Sequence, residues 1–389
     1  MADRVIRGRV EAGKVSVEIR VAAGRMAAVT LPAPGAAGEA GCIVSEGFFD
    51  IQVNGFAGVD FNRPALTAPE LRQATEAMWR HGVTRFFPTV ITAPLESIAG
   101  TLAAIRRARE EDRVLARAIP GIHLEGPFLS PEDGPRGAHP RACIRDPDWE
   151  TYQRLQEAAG GLIRLVTVAP ERPGALDLIR RLTEAGTVVA IGHSDSGEAD
   201  IDAAILAGAR LSTHLGNGAH AVLPRHRNYI QKQLASDGLF ASIIADGHHL
   251  TEFFVQNVVR CKGPERVILV TDAMAAAAAS PGLYRLGEVL AEASPDGVVR
   301  LPGTPYLAGS ALTMDRAVDN VHRFAGISVG CALAMATEHP RRLWPDLPGG
   351  VLPGAPADLV LLGNGERLQV LETVIGGETV YRAPGREPR

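Results

Sequence analysis

The chain has 389 residues, 46% of them hydrophobic and 22% charged, which fits a soluble globular protein with a large core. Lys and Arg number 40 against 44 Asp and Glu, a formal net charge of −4, so no basic excess points to nucleic acid and no acidic tract forms a tail. Four scattered cysteines, Cys42, Cys143, Cys261 and Cys331, with no CxxC pair, argue against a disulfide scaffold or a thiolate zinc site and suit a reducing cytoplasm.

In chain order, the opening MADRVIRGRVEAGKVSVEIR is charged and strand-like, without the apolar run of a signal peptide. Short strand patterns separated by Gly and Pro continue to residue 46 and pass through LPAPGAAGEAG. The C-terminal GVLPGAPADLVLLGNGERLQVLETVIGGETVYR alternates in the same style. Residues 1–47 and 346–389 are therefore expected to build one small β-sandwich domain from both termini. Residues 48–345 instead alternate apolar strands with helix-length segments. The strand candidates are FFDIQV, RFFPTV, IPGIHLE, IRLVTVA, VVAIGH, RLSTHL, FASIIAD and RVILVTD. Segments such as APELRQATEAMWRHG and GALDLIRRLTEAG carry helical periodicity with a Gly stop. Eight such units in about 300 residues predict a (β/α)8 TIM barrel, whose catalytic residues sit at the strands' C-terminal ends. An open doubly wound sheet shares the alternation, but gives no reason for polar residues at nearly every strand end. AMAAAAAS is too short to cross a bilayer, and no uncharged apolar run reaches about 18 residues, so no membrane span is expected.

The strand ends carry the chemistry. They read Gln52 and Asn54, Thr89, His123 and Glu125, Glu171 just beyond its strand, His193, His214, Asp246 and Asp272. Glu125, His193 and His214 form a two-imidazole, one-carboxylate set that suits a divalent ion with open positions for water. Singly, each residue has a plainer reading: a core histidine, a glutamate paired with an arginine, or, for His123, packing in the barrel interior. Their coincidence at the ends of strands three, five and six favours the metal, because a buried unpaired carboxylate is costly. Asp272, ending VILVTD, is placed to move a proton between water and a leaving amine; the alternative is a helix N-cap for AMAAAAAS. His139 lies in the Gly- and Pro-rich LEGPFLSPEDGPRGAHP, where a donor to a developing oxyanion fits. Arg225, His226 and Arg227, with His248 and His249, offer cations for an anionic group or simply a solvated surface.

Quoted in order, GFFDIQVNG, FFPTVIT, GIHLEGPFLSPEDGPRGAHP, VTVAPE, VAIGHSDS, STHLGNG, IIADGHHL, ILVTDAMA and LAGSALTMDRAV resemble the blocks of N-acetylglucosamine-6-phosphate deacetylases, in the amidohydrolase superfamily. The resemblance spans nearly the whole chain, and GVLPGAPADLVLL resembles the superfamily's returning β-domain segment. It implies Glu125, His193 and His214 as metal ligands, Asp272 as general acid and base, and His139 as the group polarising the acetamide carbonyl, with Ala138 beside it. It also implies one divalent ion per subunit, zinc first and iron or another ion as alternatives. Gln52 and Asn54 stand where many amidohydrolases carry an HxH pair, and Gln52 would contact the metal's water. Arg225, reaching in from a neighbouring subunit of a homodimer, and His249 fall where the family binds the sugar phosphate. Asn217 and Gly218 line the same region, and Leu307, Ala308 and Gly309 fall where the family closes over the sugar.

The departures surround the substrate, not the metal. The family's N-A-M and R-E-P-G become GNGAH and RHRN, so Gly218 and His226-Arg227-Asn228 do not match, and Met274 stands where threonine is common. The expected function is metal-dependent deacetylation of N-acetylglucosamine 6-phosphate, a small-molecule substrate, in the cytoplasm. Two alternatives stand beside it: an amidohydrolase acting on an unphosphorylated N-acetyl sugar or another N-acyl or cyclic amide, and an inactive barrel kept as a binding or assembly module.

Overall fold

The apolar strands of the chain's middle need cover on both faces, and they obtain it as a parallel sheet ringed by helices. The computed structural model describes residues 4–10, 15–32, 42–304 and 306–385. Eight strands hydrogen-bond in sequence order: one (Phe48–Val53), two (Val83–Ile91), three (Ile122–Glu125), four (Ile163–Val168), five (Val188–Ile191), six (Leu211–Ser212), seven (Phe240–Ile243) and eight (Val267–Leu269). All neighbouring pairs run parallel. Each matches an apolar run read from the sequence, and the fold is the expected TIM barrel.

The intervening helices form for local reasons. Helix Ala68–Trp79 starts where Glu70 accepts the Thr67 backbone N–H at 3.0 Å, and it buries Leu71, Ala74, Thr75 and Met78 on one stripe. Helix Ala175–Glu184 buries Ala175, Leu178, Ile179 and Leu182 at the same spacing. At the end of the barrel away from the mouth, Phe49, Phe87 and Trp344 pack edge to face, with Phe49–Phe87 and Phe87–Trp344 centroids 5.1 and 4.8 Å apart. Higher up, the interior turns polar. His123 Nε2 lies 2.8 Å from Thr167 Oγ1, its Nδ1 3.4 Å from Thr89 Oγ1, and Thr167 meets Thr213 at 2.8 Å. His123 is thus an interior residue, and burial pushes its pKa down to about 4.

Both termini contribute to a second, seven-stranded sheet, ordered Glu378–Arg382, Leu368–Ile375, Leu359–Asn364, Cys42–Glu46, Arg4–Val10, Val15–Ala22 and Arg25–Thr30. It encloses its own core of Ile6, Val17, Ile19, Met26, Val44, Leu359 and Val374. Met26 N donates to Ala355 O at 3.0 Å, so the outer hairpin closes sandwich-like over the C-terminal segment. Residues 33–41, which hold most of LPAPGAAGEAG, lie outside the described residues.

Two features were not expected. Residues following Asp272 form turns, so AMAAAAAS makes no helix for that carboxylate to cap. Beyond them, Gly282–Leu286, Val289–Ala293 and Val299–Arg300 form an antiparallel three-stranded insertion. Its Leu286, Ala291, Ala293 and Val299 pack on Met274, Ala275 and Ala276 beside the mouth. Among the described residues, no helix is long and apolar enough to cross a membrane.

Candidate active site

Three strands end in an unusual way. His193, His214 and Asp272 all adopt left-handed backbone, with φ of 49°, 28° and 49°. For residues bearing a Cβ this costs about 1–2 kcal/mol each, and it persists only where neighbours hold the chain. The holders are visible. Ser242 of strand seven donates its hydroxyl to Ser212 O at 3.1 Å and accepts His214 N–H at 2.8 Å. Beyond His193, Glu171 accepts from Ser194 Oγ at 2.9 Å and from Asp195 N at 2.8 Å. The left-handed turn swings each side chain off its strand's path into the mouth.

There Glu125, His193 and His214, all buried, bring three ligand atoms within 4.8 Å of one another. His193 Nε2 lies 3.1 Å from His214 Nε2, and Glu125 Oε1 lies 3.1 Å from His214 Nε2 and 3.4 Å from His193 Nε2. A tetrahedral ion bonded at about 2.0–2.1 Å to each needs donor–donor edges of about 3.3 Å. Orientation agrees with size. His193 Nδ1 is 2.8 Å from Pro135 O, so the neutral ring donates there and leaves Nε2 as a bare lone pair. That lone pair, a carboxylate oxygen and a second imidazole nitrogen converge on one point, an arrangement that a cation satisfies. Against the cost of burial, which acts the other way, the two imidazoles hold Glu125 well below the usual carboxylate range.

Asp272 sits beside this set. Burial, then the charge of Glu125, raises its pKa above the ordinary aspartate value. Gln52 Nε2 bridges the two carboxylates, donating to Glu125 Oε1 at 2.9 Å and to Asp272 Oδ1 at 3.2 Å. Asn54 Nδ2 donates to the same Asp272 oxygen at 2.7 Å. The two amides of DIQVNG therefore keep like charges together in one buried site, work that imidazoles would do only in the right tautomer. His139 closes another side, its ring centroid 4.4 Å from that of His193 and its Nδ1 2.9 Å from Thr92 Oγ1. Burial drives its pKa down to about 3, so it is neutral near pH 7.

The remaining candidates lie around this hydrogen-bonded set. Asn217 donates Nδ2–H to His214 O at 3.1 Å, tying the loop after strand six to the backbone of His214. Gly218, at φ 56°, lies so close to His193 that a Cβ would fall 2.6 Å from Nδ1. Ala138 is half-buried beside His139, and Ala308 is buried between half-buried Leu307 and Gly309. His249 Nδ1 pairs with Asp246 Oδ2 at 2.6 Å. Arg225 is exposed on the loop after strand six, outside the hydrogen-bonded set, and neighbouring Arg227 reaches Glu198 at 3.6 Å. Sequence reasoning passed over Thr92, Asp50 and Thr271, and it read Ser310 only as the end of the LAGS loop. Asp50 did leave a signal, a carboxylate inside an apolar strand that must find buried partners.

No protein-family profile matches the chain. Individual relatives do. The chain is 36% identical over 362 residues to the N-acetylglucosamine-6-phosphate deacetylase of Bos taurus, covering 90% of this chain and 86% of that one. It is 32% identical to the N-acetylgalactosamine-6-phosphate deacetylase of Escherichia coli O157:H7, covering 90% and 92%. Among solved structures, a mutant N-acetyl-D-glucosamine-6-phosphate deacetylase of Mycobacterium smegmatis, in complex with N-acetyl-D-glucosamine 6-phosphate, superposes with a TM-score of 0.89 at 33% identity, over 98% of this chain and all of that one.

Proposed function

The chain belongs to the N-acetylglucosamine-6-phosphate deacetylase family, and from that premise we propose that it hydrolyses N-acetylglucosamine 6-phosphate to glucosamine 6-phosphate and acetate. The observation that carries this reading is the convergence of Glu125, His193 and His214 beside a buried, amide-held Asp272. An inactive barrel would have no use for either. A divalent ion fits the three donors, and zinc is the ion proposed; when bound, it supplies Lewis acidity and lowers the pKa of water toward about 7.

The chain's own residues then do the following. Asp272, ionised at neutral pH, accepts a proton from the attacking water as oxygen bonds to the acetyl carbon. His139, in the tautomer whose Nδ1 accepts from Thr92 Oγ1, presents Nε2–H to the carbonyl oxygen as it gains negative charge. Asp272 next delivers its proton to the amide nitrogen, the C–N bond breaks, and acetate and the amine leave. Gln52 and Asn54 hold Asp272 Oδ1 throughout, so reorganisation during the transfer is small. Ala138, Asn217, Gly218 and the Leu307–Gly309 loop line the sugar site. Arg225, supplied by the partner of a homodimer, and His249 take the phosphate. The enzyme works in the cytoplasm, in keeping with its dispersed cysteines.

The galactosamine-type relative favours the C4 epimer as a second substrate. One panel tests the proposal: the 6-phosphates of N-acetylglucosamine and N-acetylgalactosamine, both free sugars, and an N-acyl amino acid, with metal content measured in parallel. Phosphorylated sugars should be turned over far faster than free ones, and Arg225→Ala should raise KM for the phosphorylated sugars alone. A preference for a free sugar, unaffected by Arg225→Ala, would overturn the phosphate assignment.

A further inference from the structure

The barrel does not close with a regular ladder. The sheet runs from strand one to strand eight in order, and the described residues at the remaining seam share only the isolated bridge Val53–Ala273. Strand eight ends at Leu269, and the tripeptide Thr271-Asp272-Ala273 runs on beyond it with Asp272 in left-handed backbone. A segment of that kind, buried and off the ladder, must still satisfy six backbone polar groups.

All six are satisfied. Thr271 N donates to Asp50 Oδ1 at 3.3 Å, and Thr271 O accepts from Ser310 Oγ at 2.5 Å. Asp272 N donates to Gln52 O at 3.0 Å, and Asp272 O accepts from Ser310 N at 3.0 Å. Ala273 N donates to Thr271 Oγ1 at 3.2 Å, and Ala273 O accepts from Asn54 N at 2.7 Å. The Thr271 hydroxyl in turn donates to Asp50 Oδ2 at 2.5 Å, while Asp50 Oδ1 also accepts from Gln52 N at 3.2 Å. Asp50 is 1% exposed and Ser310 1%. A side-chain carboxylate thus stands in for the strand-one carbonyl that a regular ladder would offer to Thr271. It releases the chain to turn at the next residue, and it also grips the backbone of Gln52, whose amide holds Asp272.

We infer that Asp50 and Ser310 are positioning residues for the general acid and base, clamping Thr271 from opposite sides so that Asp272 is held in its left-handed turn with its carboxylate beside Glu125. This rests on Asp272 having the role proposed above. Neither residue touches the metal ligands in the contacts described, so the clamp acts on the proton-transfer step and not on metal retention. A displacement of about 1 Å at a reacting group costs about 100-fold in rate. Asp50→Asn keeps the shape but turns an N–H2 toward the Thr271 donors, and Thr271→Val removes the hydroxyl that both Asp50 and Ala273 use.

The test is a double-mutant cycle in the metal-loaded enzyme. Asp50→Asn, Ser310→Ala and Thr271→Val are each expected to lower kcat about 10- to 100-fold, with KM within threefold of wild type and metal stoichiometry unchanged. Thr271→Ser, which keeps the hydroxyl, should stay within threefold of wild type. In an Asp272→Asn background, Asp50→Asn should change the residual rate less than threefold. An unchanged kcat in Asp50→Asn, or an equal loss in both backgrounds, would overturn the inference, as would loss of metal. If Asp50→Asn fails to fold, Ser310→Ala and Thr271→Val decide on the same criteria. A wild-type enzyme inert on the phosphorylated sugar would refute the functional reading instead. The clamp would then be read from a crystal structure of Ser310→Ala, where Asp272 should leave φ near 49° or its Oδ1 should leave Asn54 Nδ2; an unmoved Asp272 would overturn the inference.

Discussion

Replacing Asp272 by asparagine isolates proton transfer from every other task in the site. The three proposed metal donors are Glu125, His193 and His214, so Asp272→Asn removes none of them. Its amide oxygen can keep the hydrogen bonds from Gln52 Nε2 and Asn54 Nδ2, made now at 3.2 and 2.7 Å, so the side chain should stay where it is. What disappears is a group able to take a proton from water and return it to nitrogen. General acid–base catalysis contributes about 10²–10⁴-fold, or about 3–5 kcal/mol in the barrier. With one residue proposed to serve both halves of the reaction, the upper part of that range is expected. The assay is acetate release from N-acetylglucosamine 6-phosphate under saturating substrate, alongside elemental analysis and a melting curve. A fall of 10³-fold or more in kcat, with metal content and melting temperature near wild type, is the expected result. A variant that is folded, metal-loaded and within tenfold of wild type would refute Asp272 as the proton carrier.

Other outcomes follow from the same geometry. His193→Ala takes away one of three converging donors, and the purified variant should hold well under one equivalent of metal and lose activity with it; full metal occupancy would contradict the ligand set. His139→Leu should lower kcat about 10²–10³-fold with metal retained, because the side chain proposed to donate to the developing oxyanion then has no N–H to offer. Lys262, fully buried, donates to Gln233 O at 3.2 Å and to Ser236 O at 2.6 Å at the end of helix Tyr229–Ala235. Lys262→Met removes a charged donor from both carbonyls, leaving Gln233 O only the Ser236 N–H and Ser236 O only the Leu239 N–H, and should cost about 1–3 kcal/mol in urea denaturation at pH 7. Burial depresses the Lys262 pKa from 10.5 to about 8, so between those values the unfolded chain binds more protons than the folded one. Stability should therefore rise with pH across that window in the wild type relative to Lys262→Met, and parallel curves would refute the shift.

Much of this protein is legible along the chain because the informative signals are local. An apolar run of strand length ending in a polar residue, repeated eight times with periodic helices between, specifies a barrel whatever the details of packing. Glu125, His193, His214 and Asp272 stood out because ligand-type residues rarely end buried strands without a reason. The insertion at 282–300 escaped notice because its short strands carry no period distinct from a loop, and its apolar residues find their partners in Met274–Ala276 only after folding.

Other properties belong to the tertiary structure alone. No local pattern announces left-handed backbone at His193, His214 and Asp272, since non-glycine residues take it only when distant groups such as Ser242 and Ser310 hold them there. The amides of DIQVNG show the division most clearly. Their positions on strand one can be read from the sequence, but their task cannot, because it depends on Glu125 and Asp272 arriving from strands three and eight as two buried like charges. Only when the barrel brings those carboxylates within 3.2 Å of one amide nitrogen do Gln52 and Asn54 become the donors that hold the site together.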